Sequence, residues 1–311
     1  MLGTICVLSM ISCSKDDDGP KIILNGDDDP TTVVDGNNTN SNKWYGSANA
    51  MRLEMPALQK GSGYYFITHE ANISNSTTRK TVDYSYEYDS VQCHSRWVAF
   101  VFNDTTAANS TSRSNAWAED PVLPTTCRLP YSAYSGSGYT RGHLCASYDR
   151  LFSTEANQKT FYMSNMSPQD YDFNGYYWVV LEQLIQNWGR KGGFKNLYVC
   201  KGGTIAEGQV RSTFKSNTVS GRSVKIPVPK YYFAAVLAET EMGTYQAIGF
   251  WVQHKDYGYT DNNYPSRSVM KQHAVSIDEL EEKTGLDFFC NLADAAEQAV
   301  EKKYSTTAWT W

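Results

Sequence analysis

Six consecutive apolar residues, Trp97-Val98-Ala99-Phe100-Val101-Phe102, set the first constraint on this chain. A run of that length, aromatic and β-branched and without polar alternation, is a strand that leaves neither face in water. It belongs in the middle of a sheet. Further runs supply its neighbours: Tyr64-Tyr65-Phe66-Ile67, then Tyr84-Ser85-Tyr86-Glu87-Tyr88 with period two, then residues 196–200, 231–237 and 247–252. Polar loops separate them, which favours antiparallel pairing.

One segment has helical rather than strand periodicity. Tyr177, Val180, Leu181, Leu184 and Trp188 form a single apolar stripe, which predicts a helix that starts after Asn174 and is closed by Gly189. Ser276 followed by Glu279 reads as a capped helix start, and residues 294–303 as a short helix. The expected class is α+β, a central antiparallel sheet flanked by helices.

At 41% hydrophobic, 311 residues suffice for one large core, which excludes disorder of the whole chain. No run of about 18 apolar residues exists, so no helix spans a bilayer. The apolar residues 1–12, followed by Cys13 and Ser14-Lys15-Asp16-Asp17-Asp18, resemble a bacterial lipoprotein signal, although no Lys or Arg precedes Lys15. That resemblance implies an exported protein anchored by a lipid on Cys13 to the outer membrane, facing the periplasm or the outside. Residues 13–43 read as a flexible acidic linker and 44–311 as the folded domain. Residues 1–36 hold seven aspartates and two lysines, which account for the whole net charge of −5. Residues 113–215 hold eleven basic against eight acidic residues, and residues 216–311 nine against twelve. Cys93, Cys127, Cys145, Cys200 and Cys290 remain beyond Cys13, an odd number without zinc spacing, so at least one is unpaired.

The chemistry-bearing residues are concentrated between 139 and 188. In Tyr139-Thr140-Arg141-Gly142-His143, the arginine and histidine two apart leave an extended backbone on one side. Ser164-Asn165-Met166-Ser167-Pro168-Gln169 follows, then Phe173-Asn174, with Glu182 two helical turns beyond Asn174. These blocks, in this order and spacing, resemble the DNA/RNA non-specific endonucleases, ββα-metal (His-Me finger) nucleases. The resemblance runs from about Trp97 to Leu292.

It implies a Mg²⁺-dependent enzyme, with Mn²⁺ or Ca²⁺ as substitutes, that hydrolyses DNA and RNA without sequence specificity to 5′-phosphorylated products. His143 would be the general base, since an imidazole titrating near neutrality can take a proton from water. Asn174 would be the metal ligand, a hard oxygen donor suited to Mg²⁺. Glu182 would orient the ion, and Arg141 would grip the scissile phosphate with its planar fork. Asn165, Gln169 and Arg113 would bind substrate.

Each assignment has a structural counterpart. Asn174 is also a good helix cap, Glu182 a plausible solvated helix residue, and His69, His94, His254 and His273 read as structural. Cys145 is set aside as a ligand because a thiolate suits Mg²⁺ poorly. The chain departs from the family at Thr140, where an aspartate is usual, and at Gln186, where a phosphate-binding arginine is usual and Arg190, one turn on, could substitute. A non-catalytic surface lipoprotein that binds nucleic acid or glycan is the rival reading.

Overall fold

The computed structural model describes residues 37–74, 76–219 and 221–311. The apolar run falls in β3 (His94–Phe102), third in an antiparallel seven-stranded sheet. Its order is β1 (Tyr64–Asn72), β2 (Lys80–Asp89), β3, β6 (Asn196–Gly203), β9 (Tyr231–Glu239), β10 (Tyr245–Gln253) and β11 (Ala274–Val275). Two pairs stand apart: β4 (Thr140–His143) with β5 (Met166–Gln169), and β7 (Val210–Val219) with β8 (Arg222–Pro229).

Alternation along the central strands divides the core in two. Val98, Phe100, Leu197, Val199, Ala234 and Val236 face one way, toward the long helix α2 (Val179–Lys191). Trp97, Ala99, Cys200, Phe233, Ala235 and Leu237 face the other, toward α3 (Ile277–Thr284) and α4 (Asp294–Glu301). A short α1 (Thr154–Lys159) completes the helices. The capped start at Ser276 forms as expected, its side chain accepting the Glu279 N–H at 3.1 Å. Among the described residues no helix is long and apolar enough to cross a membrane.

Three local expectations are corrected. The long helix starts at Tyr171 and its first turns are π-helical over Phe173–Trp178, so Asn174 lies inside it rather than at its cap. Gly189 does not end it, since α2 continues to Lys191; a Cβ at Gly189 would overlap Phe102, so glycine serves the close approach of helix to sheet. The packed fold also starts before Trp44: Asn42 is fully buried, its side-chain amide donating to Ala50 O at 3.1 Å and Pro56 O at 3.0 Å. The signal over residues 1–12, Cys13 and the linker up to residue 36 lie outside the described residues. Cys145, Cys200 and Cys290 are buried and free, as the odd count requires of at least one.

Candidate active site

β4 and β5 form a short ribbon in which Thr140, Arg141, Gly142 and His143 stand opposite Gln169, Pro168, Ser167 and Met166. Arg141 and His143 leave it on the same side and share a neighbour. The Trp117 ring lies 5.5 Å from the His143 ring and 5.6 Å from the Arg141 guanidinium. Arg141 also stacks 3.9 Å above Tyr131, and its Nε and Nη2 donate to Tyr131 O at 3.2 and 3.0 Å. Phe161 meets the imidazole edge-on at 5.0 Å. Gly142 is required by packing, because a Cβ there would overlap the Gln169 side chain.

The helix that follows β5 brings Asn174 back to this ribbon. Its Nδ2 donates to Thr140 Oγ1 at 3.0 Å, and that hydroxyl in turn donates to Gln169 O at 2.9 Å. Thr140, the departure from the family pattern, thus locks the proposed metal ligand onto the strand that carries His143. The π turn sets the angle to Glu182: it absorbs one extra residue, so eight residues advance the chain by about two ordinary turns. Asn174 and Glu182 consequently share one side of the helix.

His143 is buried and its Nε2 has no hydrogen-bond partner among the described residues. Burial, and then the charges of Arg113 and Lys201, push its pKa down to about 3, so the ring is neutral. Glu182 responds to the same two cations. Burial pushes its pKa up to about 7, Lys201 opposes this, Asp149 adds to it and Arg113 opposes it. His143, Glu182, Arg113 and Lys201 therefore form one electrostatic unit.

Lys201 went unnoticed in the sequence. It is wholly buried on β6, its Nζ 2.8 Å from Asp149 Oδ2. Asp149 also accepts from Ala146 N at 2.8 Å and Gln186 Nε2 at 2.9 Å. Gln186, the second departure, thus serves a buried ion pair. A charged residue inside the otherwise apolar strand before Gly202-Gly203 was the available signal.

The substrate-binding expectations divide. Arg113 is exposed beside the site, donating to Ser147 Oγ at 2.5 Å with its guanidinium 4.9 Å over Phe161. Asn165 is committed to the fold: it is fully buried and its amide is spent on backbone, accepting from Cys145 N at 2.8 Å and donating to Cys145 O and Thr160 O at 2.8 and 2.7 Å. Gln169 is fully buried against Gly142, its amide atoms without hydrogen-bond partners among the described residues. Arg190, the possible substitute for Gln186, donates its Nε to Ala107 O at 3.1 Å and its Nη2 to Tyr148 O at 2.5 Å. The other histidines are structural as read, for example His94 between Ser95 O at 2.7 Å and Ser167 Oγ at 2.8 Å.

The donor set fits a hard divalent ion. Asn174 Oδ1 accepts no hydrogen bond among the described residues while its Nδ2 is held, and Glu182 adds a carboxylate on the same side. Cys145 is buried, which pushes its thiol pKa well up, and offers no competing soft ligand.

A two-stranded ribbon carrying Arg-Gly-His, followed by a helix carrying Asn and Glu, is the ββα-metal arrangement on an α+β fold. The profile of the DNA/RNA non-specific endonuclease family matches residues 63–295. A nuclease of Nostoc sp. is 31% identical over 222 residues, 71% of this chain and 76% of its own length. The mitochondrial nuclease EXOG of Xenopus laevis is 29% identical over 71% of this chain, a match spanning 60% of EXOG. A chain of the solved EndoG/EndoGI complex shares the fold with a TM-score of 0.55 at 22% identity, covering 74% of this chain and 89% of that one. This chain belongs to the DNA/RNA non-specific endonuclease family.

Proposed function

We propose that this protein is a Mg²⁺-dependent endonuclease that hydrolyses DNA and RNA without sequence or sugar preference and leaves 5′-phosphates. The observation that carries this is the Thr140 hydroxyl, which holds the Asn174 amide on the ribbon from which Arg141 and His143 project. Asn174 would hold the ion, and the bound ion would neutralise charge on the phosphate and the departing oxygen.

The remaining steps fall to the chain's own side chains. His143, neutral and clamped between Trp117 and Phe161, takes the proton of the attacking water. Arg141 uses its Nε and Nη2 on Tyr131 O, and its other N–H groups, which make no hydrogen bond among the described residues, would bind a phosphate oxygen. An arriving phosphate also offsets the positive charge of Arg113 and Lys201 that disfavours imidazolium, so substrate binding makes His143 a stronger base. Glu182 accepts hydrogen bonds from water around Asn174 and fixes its orientation.

In the test, the purified protein is given plasmid and RNA with Mg²⁺ and with EDTA. Both substrates should be cut only with Mg²⁺, and His143→Ala should lower kcat/KM by about 10²–10⁴-fold at unchanged Tm. A rate within a factor of about two of the parent would remove His143 from the mechanism. Saturable binding of nucleic acid or glycan without cleavage would instead establish the non-catalytic reading. Anchoring through Cys13 rests on sequence alone and is part of the same proposal; a Cys13→Ser protein that still fractionates with membranes would refute it.

A further inference from the structure

On the opposite face of the sheet, five carboxylates converge from three segments. Asp278 and Glu281 lie on α3, Glu297 and Glu301 on α4, and Asp287 on the link between them. Oxygens of Asp278, Glu281 and Glu301 lie within 4.8 Å of one another, as do oxygens of Asp287, Glu297 and Glu301. Among the described residues no Lys, Arg or His forms an ion pair with any of the five. Backbone and amide donors cover part of the group: Phe288 N donates to Glu281 Oε1 at 2.6 Å, and Asn40 Nδ2 to Asp287 Oδ2 at 3.2 Å and Glu297 Oε1 at 2.8 Å.

Glu301 stands out because no donor reaches it among the described residues. It is only 8% exposed, it belongs to both triads, and among the described residues its buried Oε1 has no hydrogen-bond partner. An oxygen enclosed in this way and aimed into four further carboxylates can ionise only when a cation supplies the counter-charge. We propose that Glu301, with Asp278 and Glu281 on one side and Asp287 and Glu297 on the other, holds a calcium ion.

The chemistry selects calcium over magnesium. Ca²⁺ takes six to eight oxygens at about 2.3–2.6 Å, so ligands on opposite sides of it stand about 4.6–5.2 Å apart, in keeping with the triads. Mg²⁺ retains its waters and seldom enters an all-carboxylate cage. The ion ties α3, the link and α4 together, and through Asn40 it fastens residues 38–42, whose Thr39 N also donates to Asp294 Oδ1 at 2.8 Å. Its role is to fasten this corner of the fold. It lies across the sheet from His143 and takes no part in phosphodiester cleavage.

The test uses the full chain carrying Asn174→Ala, which removes the ligand proposed for the catalytic ion. After EGTA treatment this protein should bind one equivalent of Ca²⁺ by calorimetry, and its Tm should climb as Ca²⁺ is added. Adding Glu301→Gln should abolish both responses, while the calcium-free Tm holds because the neutral amide matches the carboxyl in shape. With Asn174 intact, Glu301→Gln should leave Mg²⁺-dependent cleavage unchanged. If Glu301→Gln fails to fold, Asp278→Asn takes its place and should weaken Ca²⁺ binding about tenfold or more. No heat and no Tm shift at millimolar Ca²⁺ would overturn the proposal, as would a shift that survives Glu301→Gln. An equal shift with Mg²⁺ at the same concentration would overturn the assignment to calcium.

Discussion

Glu182 on α2 and Glu301 on α4 are the same residue type on opposite faces of one sheet, and they meet opposite surroundings. Burial raises the pKa of both. At Glu182 the charges of Lys201 and Arg113, against that of Asp149, hold the rise to about 7, whereas the strongest charges on Glu301 are all carboxylates and it reaches about 10, which keeps it protonated at neutral pH. The face with His143 therefore carries its own counter-charge within the fold, and the other face leaves that charge to be supplied from solution, by a proton or by the proposed cation. The contrast agrees with the sequence arithmetic, a basic excess over residues 113–215 and an acidic excess over 216–311.

The most direct way to break the contrast is to take the cation out of the catalytic face. Lys201→Met leaves Asp149 buried without its ion-pair partner and should cost about 3–5 kcal/mol in urea unfolding. A loss under about 1 kcal/mol would mean that Asp149 finds another partner.

Acid should weaken the same face. His94 bonds Ser167 Oγ on β5, and His254 Nε2 accepts the Asp170 N–H at 2.8 Å just beyond it. Burial holds both at a pKa of about 4. The unfolded chain then binds more protons than the native one between about 6.5 and 4, so their stabilisation is complete above about pH 6.5 and is lost as pH falls toward 4. The loss should be on the order of 3 kcal/mol for each, read from urea midpoints between pH 7.5 and 4, and His94→Gln should flatten the curve.

Glu182→Gln should raise the Mg²⁺ requirement or lower the rate by about 10–100-fold, read from Mg²⁺ titration of cleavage. A response matching that of Glu301→Gln would erase the functional difference between the two glutamates. The smallest effect is expected at the ribbon. Gly142→Ala forces the Gln169 side chain aside and should cost about 1–3 kcal/mol, with a double-mutant cycle against Gln169→Ala recovering most of it.

Much of this protein is legible residue by residue. The six long strands of the main sheet follow from local apolar pattern, and the order of Arg141, His143, Asn174 and Glu182 from motif spacing. What stayed hidden depends on partners far away in the chain. Asn165 and Asn174 are equivalent as letters. One is spent on the backbone of residues 145 and 160, and the other is held by Thr140, 34 positions away. Gln186 looked like a lost phosphate ligand until Asp149, 37 positions away, was found to receive it. The π turn was equally invisible, since apolar stripes at helical spacing tolerate one inserted residue.

The sequence by itself determined the six long strands of the main sheet, the helix after β5 and the identity of the candidate catalytic set, because periodicity and motif order are properties of neighbouring residues. Tertiary structure alone decided which polar groups are neutralised. Whether a buried Glu meets a Lys or four more carboxylates depends on which strands and helices pack together, and Coulomb interactions act across those contacts regardless of distance along the chain.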